Sequence, residues 1–350
     1  MTKPSSFEQR LVSAWYQPHL VPLTVALAPL SAVYAAVAAL RRGLYRVGLF
    51  RAERLPVPVI VVGNLTAGGS GKTPLVAALA RQLVARGWRP GIVSRGYGRV
   101  IDAGAEHEPL LVSGTSDPGR VGDEPLLLAR AGFPVAVARD RVAAGRALLE
   151  AHPECDVVLT DDGLQHYRLH RDVEVAVVDG ERGLGNRRLL PAGPLREAPA
   201  RLSGVDAVVV LVREKSTAFV PDRAWPEAWP MQLEGTAFHR VASPEITADA
   251  SAFGGAGVHA IAGIGHPQRF FDSLRAMGIR STNHAFPDHH RFVAADLAWP
   301  DAASILMTEK DAVKCAAFAD ERCWFLPVQA RIDAALVTRI EEKLRGRKAA

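Results

Sequence analysis

Hydrophobic positions along this chain fall into short β-branched runs separated by helix-length stretches. The first run is Val57, Val59, Ile60, Val61 and Val62, punctuated by Pro58. Its lack of polar alternation predicts a strand buried on both faces. The apolar stretch Leu75 to Leu83 that follows predicts a helix. Runs at Arg89–Val93, Val135–Ala138, Val157–Thr160, Val173–Asp179 and Val205–Val212 predict further strands, with helices at Leu126–Ala131 and Val142–Ala151. Strand–helix alternation from residue 57 to 212 predicts an α/β fold with a parallel sheet. After Arg213 the pattern changes: Glu214–Pro230 is polar and proline-rich, holds Trp225 and Trp229, and reads as a linker. A second set follows, with a strand at His259–Ile264, a helix at Pro267–Met277, a short strand at Ser304–Met307 and a closing amphipathic helix at Ile332–Leu344.

One N-terminal segment breaks this rhythm. Leu11 to Leu40 contains no Asp, Glu, Lys or Arg, and 17 of the 21 residues from Leu20 to Leu40 are apolar. Arg10 precedes it, and Arg41, Arg42, Arg46 and Arg51 follow. Its length admits a membrane-spanning helix, but Pro18, Pro22 and Pro29 interrupt it. It starts too far into the chain for a signal peptide. A buried core helix is the ordinary alternative. A helix lying in the interface of one leaflet, with its arginines on anionic head groups, is the expectation adopted here.

Length and composition narrow the class. A chain of 350 residues with 48% hydrophobic content buries a sizeable core as one large or two modest domains. The net charge of +5 favours anionic partners such as nucleotides or phospholipid. No aromatic-interleaved basic stretch marks nucleic acid, which ranks last among partners. The three cysteines, Cys155, Cys315 and Cys323, have no C-x-x-C spacing, which argues against a zinc ribbon or disulfide framework and fits a reducing compartment.

The chemistry starts where the first strand ends. Thr66, Ala67, Gly68, Gly69, Ser70, Gly71, Lys72 and Thr73 join that strand to the Leu75 helix. Strand, glycine loop, Lys-Thr and helix together form a phosphate cradle: backbone N–H groups and the helix N-terminus face an anion, Lys72 neutralises the β/γ-phosphates, and the Thr73 hydroxyl meets Mg²⁺. The strict G-x-x-x-x-G-K-[ST] pattern requires glycine where this chain has Thr66. An ordinary Gly-rich turn with an incidental lysine is the bland alternative, and the placement of GSGKT between a strand and a helix argues against it. The strand Val157–Thr160 ends in Asp161-Asp162-Gly163, and a carboxylate at a strand tip is the other half of a nucleotide–Mg²⁺ site.

Other loops are less specific. Asp123 and Glu124 in Gly122-Asp123-Glu124-Pro125 stand at a helix start, where capping is the ordinary role and a catalytic base the sharper one. The Gly/Pro/Arg-rich loop from Gly180 to Pro199 offers Arg182, Arg187, Arg188 and Arg196 to an anionic substrate. Pro287-Asp288-His289-His290 is either a surface loop or a positioned acid/base histidine. Thr308-Glu309-Lys310-Asp311 has the residues of a guanine-reading loop in the wrong order, so no guanine specificity is read from it.

Taken jointly, GNLTAGGSGKTP, SRGYGR, GDEP, TDDGLQH, LLPAGPLREAP, FPDHHRF and TEKDAVK resemble, in this order, the tetraacyldisaccharide 4′-kinase family of lipid A biosynthesis. The resemblance runs from about residue 57 to 314. Thr66 is then the family's own variant of the phosphate loop. The resemblance implies ATP- and Mg²⁺-dependent phosphorylation of the 4′-hydroxyl of a tetraacylated disaccharide 1-phosphate, at the cytoplasmic face of a bacterial inner membrane. It implies a P-loop NTPase-like core over 51–215, a smaller α/β domain with linker and C-terminal helix over 216–350, and a membrane-associating segment over 1–50. The site is expected between the two domains. No obligate protein partner is evident. Asp123 is implied as the base and His289 as its partner, with the pair assembled across the domains. Thr73 and Asp161 are implied at the metal. Asp162, Tyr97, Glu124, Arg141, Arg196 and Glu197 are implied as substrate or nucleotide contacts. Two other readings are a membrane-attached P-loop switch ATPase or GTPase and a non-enzymatic membrane-binding module. The first leaves the arginine loop and the His289 cluster unexplained, and the second leaves Lys72, Thr73 and Asp161 unexplained.

Overall fold

The β-branched run predicted after Pro58 forms a strand at Val59–Gly63, buried at every residue. The computed structural model describes residues 7–17, 19, 21–97, 99, 108–213 and 225–346. Pro18, Gly98, most of the expected linker, and the basic residues Arg347 and Lys348 lie outside the described residues. The helices are α1 (Phe7–Trp15), α2 (Pro22–Ala26), α3 (Ala28–Arg46), α4 (Lys72–Ala85), α5 (Pro118–Val121), α6 (Asp123–Arg130), α7 (Arg141–Ala151), α8 (Pro267–Ala276), α9 (Glu309–Cys315) and α10 (Ala334–Arg345). The first eight strands are β1 (Val59–Gly63), β2 (Pro90–Ser94), β3 (Leu110–Val112), β4 (Val135–Val137), β5 (Val157–Thr160), β6 (Val173–Asp179), β7 (Ala207–Leu211) and β8 (Ala228–Glu234). The rest are β9 (Ala237–Arg240), β10 (Thr247–Asp249), β11 (Val258–Ala262), β12 (Thr282–Ala285), β13 (Ser304–Thr308), β14 (Cys323–Leu326) and β15 (Gln329–Ile332).

The chain divides into two compact units, and neither is contiguous. The first comprises residues 1–93, 149–232 and 332–350; the second comprises 94–148 and 233–331. This differs from the boundaries expected at residues 50 and 215. Residues 94–148 interrupt the core in sequence but fold with the second unit, because α6 packs on α9. The closing helix α10 belongs to the first unit. There it buries Leu336, Val337, Ile340 and Leu344, and Glu341 accepts hydrogen bonds from Arg86 Nη1 at 3.2 Å and Trp88 Nε1 at 3.1 Å.

In the first unit six strands of one sheet run parallel in the order β8-β7-β6-β1-β5-β2. Parallel strands covered by helices are buried on both faces, which is why β1, β5 and β7 carry unbroken apolar runs. Ile60, Leu75, Leu79, Leu83 and Leu159 are fully buried, each contributing about 1.5–3 kcal/mol. Register pairs Val61 with Thr160, so the tips of β1 and β5 end side by side at the carboxyl edge of the sheet. β8 corrects the linker reading: Ala228–Glu234 extends the sheet in parallel with β7 despite Pro230.

The N-terminal prolines begin helices rather than break one. Pro22 and Pro29 sit in the first turns of α2 and α3, where a missing N–H costs nothing. One side of α3 is held by the 180–199 loop: Ser31 Oγ donates to Leu189 O at 2.8 Å and Tyr34 Oη to Arg196 O at 3.1 Å. Trp15 Nε1 donates to Pro191 O at 2.9 Å. A neighbouring face of α3 exposes Leu30, Val33, Val37 and Leu40 at 56%, 60%, 61% and 65%. α3 is therefore not a buried core helix. Among the described residues no helix is long and apolar enough to cross a membrane.

The second unit holds a sheet in the order β10-β9-β14-β13-β11-β12, parallel from β14 to β12 and antiparallel at β9 and β10. Alternation along β11 and β13 sorts residues into two cores. Ala260, Ala262 and Leu306 join Phe238, Phe253 and Leu274 on one face, while Ile261, Ile305 and Met307 join Phe292, Cys315 and Cys323 on the other. In the same unit β3 pairs antiparallel with β4.

Candidate active site

The phosphate loop grows out of the tip of β1. Gly71 precedes α4 at φ +86°, a conformation that favours glycine, and a Cβ there would meet Met231 Cε at 3.1 Å and Leu211 Cδ2 at 3.2 Å, so both side chains would have to give way slightly. Lys72 and Thr73 open α4 with their free N–H groups at the positive end of the helix dipole. Asn64, fully buried, organises the loop: its Nδ2 donates to Thr66 Oγ1 at 3.2 Å and Gly68 O at 3.4 Å, and its Oδ1 accepts from Lys72 Nζ at 3.3 Å. Ala67 N donates to Pro194 O at 2.7 Å, which braces the loop against residues 180–199. Gly69 adds flexibility with open space around it, and the Ser70 side chain is buried in the same loop.

The strand tip of β5 supplies the carboxylates. Asp161 is 1% exposed, and its Oδ2 accepts from Thr73 Oγ1 at 2.8 Å. Asp162 adopts φ +56° and turns the other way. Both of its oxygens lie 2.9 Å from Arg196 Nη1, and Lys72 Nζ is 3.7 Å away. Of the four arginines expected at an anionic substrate, Arg196 is the one this pairing brings to the phosphate loop, while the Arg182 guanidinium packs over the Tyr16 ring at 4.9 Å. Glu197 is buried and internally engaged: it accepts from Gln165 Nε2 at 2.9 Å and from the Tyr167 hydroxyl, with Arg201 Nε 3.7 Å away. Burial, followed by the charge of Glu197, pushes the Tyr167 phenol up to about 12, so it stays a neutral donor.

A second polar centre lies wholly within the second unit. Gly122, at φ +93°, is the N-cap of α6, and Asp123 is its first helical residue, so Asp123 is not the capping side chain. The Asp123 carboxylate is 5% exposed. Its Oδ1 accepts from Glu124 N at 3.0 Å and its Oδ2 faces His289 Nδ1 at 3.2 Å. Lys310 Nζ and Lys314 Nζ stand 3.8 Å and 3.9 Å from Oδ2. Burial pushes this carboxyl up, but the His289 hydrogen bond and the charges of Lys310, His289 and Lys314 outweigh it and hold Asp123 below the usual carboxylate range. His289 adopts φ +57°, with its N–H bonded to Asp288 Oδ1 at 3.0 Å. Such a backbone costs about 1–3 kcal/mol and persists where the surroundings impose it. The Tyr97 ring, 60% exposed, lies 4.7 Å from the His289 ring.

The structure thus brings His289, not His290, to Asp123. His290 Nε2 bonds to Asp296 Oδ2 at 2.9 Å and its ring packs between Phe286 and Phe292. The pair was expected to assemble across two domains, yet both members lie in one unit. Arg141 is buried at the start of α7, with Nη1 donating to Arg139 O at 3.0 Å. Glu124 pairs with Lys310 at 3.1 Å. Sequence reasoning misses Asn64, Gln165 and Lys314, although each lies inside a quoted motif, and it names Lys310 only against a guanine-reading loop.

The donor set at Thr73 and Asp161 suits a hard cation. A hydroxyl and a buried carboxylate are oxygen ligands of the kind Mg²⁺ takes. No cluster of three or more His, Cys, Asp or Glu fit to hold a metal occurs among the described residues.

A parallel sheet with a phosphate loop at one strand tip and a hydroxyl-bonded aspartate at the next defines a phosphate-binding enzyme of the P-loop class. The model of the family described as tetraacyldisaccharide-1-P 4′-kinase matches residues 23–345. A tetraacyldisaccharide 4′-kinase of Azoarcus sp. (strain BH72) is 56% identical over 324 residues, covering 92% of this chain and 92% of the relative. One from Chromobacterium violaceum is 51% identical, covering 91% of this chain and 93% of the relative. A crystal structure of "apo" form LpxK from Aquifex aeolicus in complex with ATP superposes with a TM-score of 0.77 at 30% identity, covering 92% of this chain and 99% of that one. The chain belongs to the tetraacyldisaccharide-1-P 4′-kinase family.

Proposed function

We propose that this chain transfers the γ-phosphoryl group of ATP to the 4′-hydroxyl of tetraacyldisaccharide 1-phosphate, with Asp123 as the proton acceptor. The observation that carries the reading is the buried Asp123 carboxylate bonded to His289 in a chain of this family. A switch ATPase needs a positioned water and a partner surface; a carboxylate steered by an imidazole suits an alcohol acceptor.

Each group then has a task. Lys72 and the N–H groups at the start of α4 bind the β- and γ-phosphates. Thr73 and Asp161 would hold Mg²⁺, which would supply charge neutralisation on those phosphates. Arg196 and Lys72 share Asp162 and are positioned to exchange it for phosphate oxygens. The 4′-hydroxyl proton passes to Asp123 as its oxygen bonds to the γ-phosphorus and the bond to the ADP oxygen breaks. His289 donates through Nδ1 to Asp123 and fixes its orientation. Tyr97 offers an exposed ring beside the pair for the sugar. Glu124 and Arg141 complete the substrate set in this reading.

The exposed stripe Leu30, Val33, Val37 and Leu40, followed by Arg41, Arg42 and Arg46, suits an interfacial helix that meets the acyl chains of the substrate at the cytoplasmic face of the inner membrane. The test is transfer of labelled γ-phosphate from Mg-ATP to purified tetraacyldisaccharide 1-phosphate in detergent, with wild type and Asp123→Ala compared. A bisphosphorylated lipid made by the wild type alone supports the reading. Acceptor-independent ATP hydrolysis without lipid product overturns it.

A further inference from the structure

Lys310 occupies the middle of the charged groups around Asp123. It lies in the first turn of α9, whose start is fixed by Thr308 Oγ1 accepting from Asp311 N at 3.2 Å. Its Nζ is 3.1 Å from Glu124 Oε1, 3.4 Å from Asp288 Oδ1 and 3.8 Å from Asp123 Oδ2. Burial alone would favour the neutral amine, but the charges of Glu124, Asp123 and Asp288 prevail and keep the ammonium protonated. The same Nζ lies 3.4 Å from His289 Nε2.

Nε2 also faces Asp288 Oδ1, at 3.8 Å, so the Lys310 ammonium is the nearer of its two charged neighbours. An ammonium has three donors and no acceptor, so the ring nitrogen facing it presents a lone pair. A ring hydrogen of His289 is then on Nδ1, which faces Asp123 Oδ2 at 3.2 Å. We propose that Lys310 is a positioning residue for the Asp123–His289 pair: its ammonium selects the Nδ1–H tautomer of His289 and so aims that proton at Asp123. The proposal rests on the reading of Asp123 as the proton acceptor, and it names the group that keeps the acceptor oriented and ionised. Remaining charged neighbours are Glu124 on α6, Asp288 on the histidine loop, and Lys314 on α9, itself 2.8 Å from Asp311 Oδ1.

Full-length enzyme with ¹⁵N-histidine distinguishes the tautomers, with His289→Gln assigning the signal. Wild type is expected to carry the hydrogen on Nδ1. Lys310→Met is expected to release the ring into exchange between tautomers, and Lys310→Arg to retain it; Lys310→Gln replaces Met where that variant fails to fold. In the lipid phosphorylation assay, loss of the positive charge raises the pH at which Asp123 takes a proton. The acid limb of the kcat–pH profile should rise by about one unit, with kcat down about tenfold, ATP KM unchanged and the arginine variant near the wild-type midpoint. A wild-type Nε2–H signal, an unchanged tautomer in Lys310→Met, or a rate loss with an unmoved acid limb overturns the proposal. If no variant, wild type included, phosphorylates the lipid, the assigned activity fails, and the tautomer measurement still decides the role of Lys310.

Discussion

Thr73 Oγ1 donates to Asp161 Oδ2 at 2.8 Å, joining the first turn of α4 to the tip of β5 across 88 residues of sequence. The bond follows from parallel register: Val61 pairs with Thr160, so the loop after β1 and the carboxylate after β5 emerge at the same edge. Asp161→Asn keeps the shape and removes the charge. Its effect should therefore separate metal binding from folding: Mg²⁺ dependence of ATP turnover shifts to at least tenfold higher Mg²⁺, while the thermal midpoint changes little. A Mg²⁺ titration superimposable on wild type would remove Asp161 from the metal.

Lys72 shares Asn64 and Asp162 at 3.3 and 3.7 Å. In the proposed reading its ammonium would face the developing charge on the transferred group when a triphosphate binds. Lys72→Ala should lower kcat/KM about 10²- to 10³-fold, the scale of losing one preorganised donor. Steady-state kinetics with saturating lipid checks this; a rate within twofold of wild type would remove Lys72 from the phosphate site.

Gly71 ties the loop to the sheet beneath it. Its φ of +86° costs an L-residue about 1–2 kcal/mol, and an added methyl at 3.1–3.2 Å from Met231 and Leu211 forces those side chains to move. Gly71→Ala should weaken nucleotide affinity more than Gly69→Ala, since a Cβ at Gly69 meets open space. Equilibrium binding of a fluorescent ATP analogue to both variants makes the comparison, and equal losses would contradict it.

How far these features can be read from sequence depends on range. Strands β1, β5, β6 and β7 declare themselves because burial on both faces demands continuous apolar residues. The loop from Gly68 to Thr73 declares itself because an anion site needs glycine, lysine and a hydroxyl together. The discontinuous units do not, because periodicity carries no record of which segments meet. Asp123 and His289 are 166 residues apart, and nothing local to either states that α6 packs on α9. Lys310 was legible as part of TEKDAVK but not as a partner of His289, since its role lies in three carboxylates drawn from other segments. The start of β8, Ala228 to Pro230, reads as linker because Pro230 and polar neighbours obscure a run that the parallel neighbour β7 nonetheless pairs. The exposed side of α3 reverses the usual inference from apolarity, since Ser31 and Tyr34 face the protein and the valines face out.

That reversal predicts a separation of binding from stability. Val33 and Val37 are more than half exposed, so Val33→Glu/Val37→Glu removes no core contact and should leave the thermal midpoint within about 2 °C, the ordinary range for surface changes. In a lipid interface each side chain would contribute about 1.5–3 kcal/mol, so the double variant should bind anionic liposomes at least a hundredfold more weakly. Vesicle co-sedimentation with and without anionic lipid measures this, and unchanged binding would assign the stripe another role.

The Asp123 carboxyl, held below its ordinary value of 3.8, makes a prediction about pH. A group whose pKa falls on folding binds fewer protons when native, so it stabilises the fold fully above its unfolded pKa and loses that contribution as pH falls through the folded one. Wild type and Asp123→Asn should therefore differ in stability by a constant amount at pH 5–8, and the difference should shrink below about pH 4. The same substitution should lower kcat about 10²- to 10⁴-fold with little change in ATP KM if, as proposed, the lost group acts on the alcohol proton and not on the nucleotide. Urea titrations across pH 3–8 and steady-state kinetics at neutral pH read the two effects independently. A stability gap that widens in acid would show that burial, rather than His289, Lys310 and Lys314, dominates the carboxyl. A loss confined to ATP affinity would place Asp123 on the nucleotide instead.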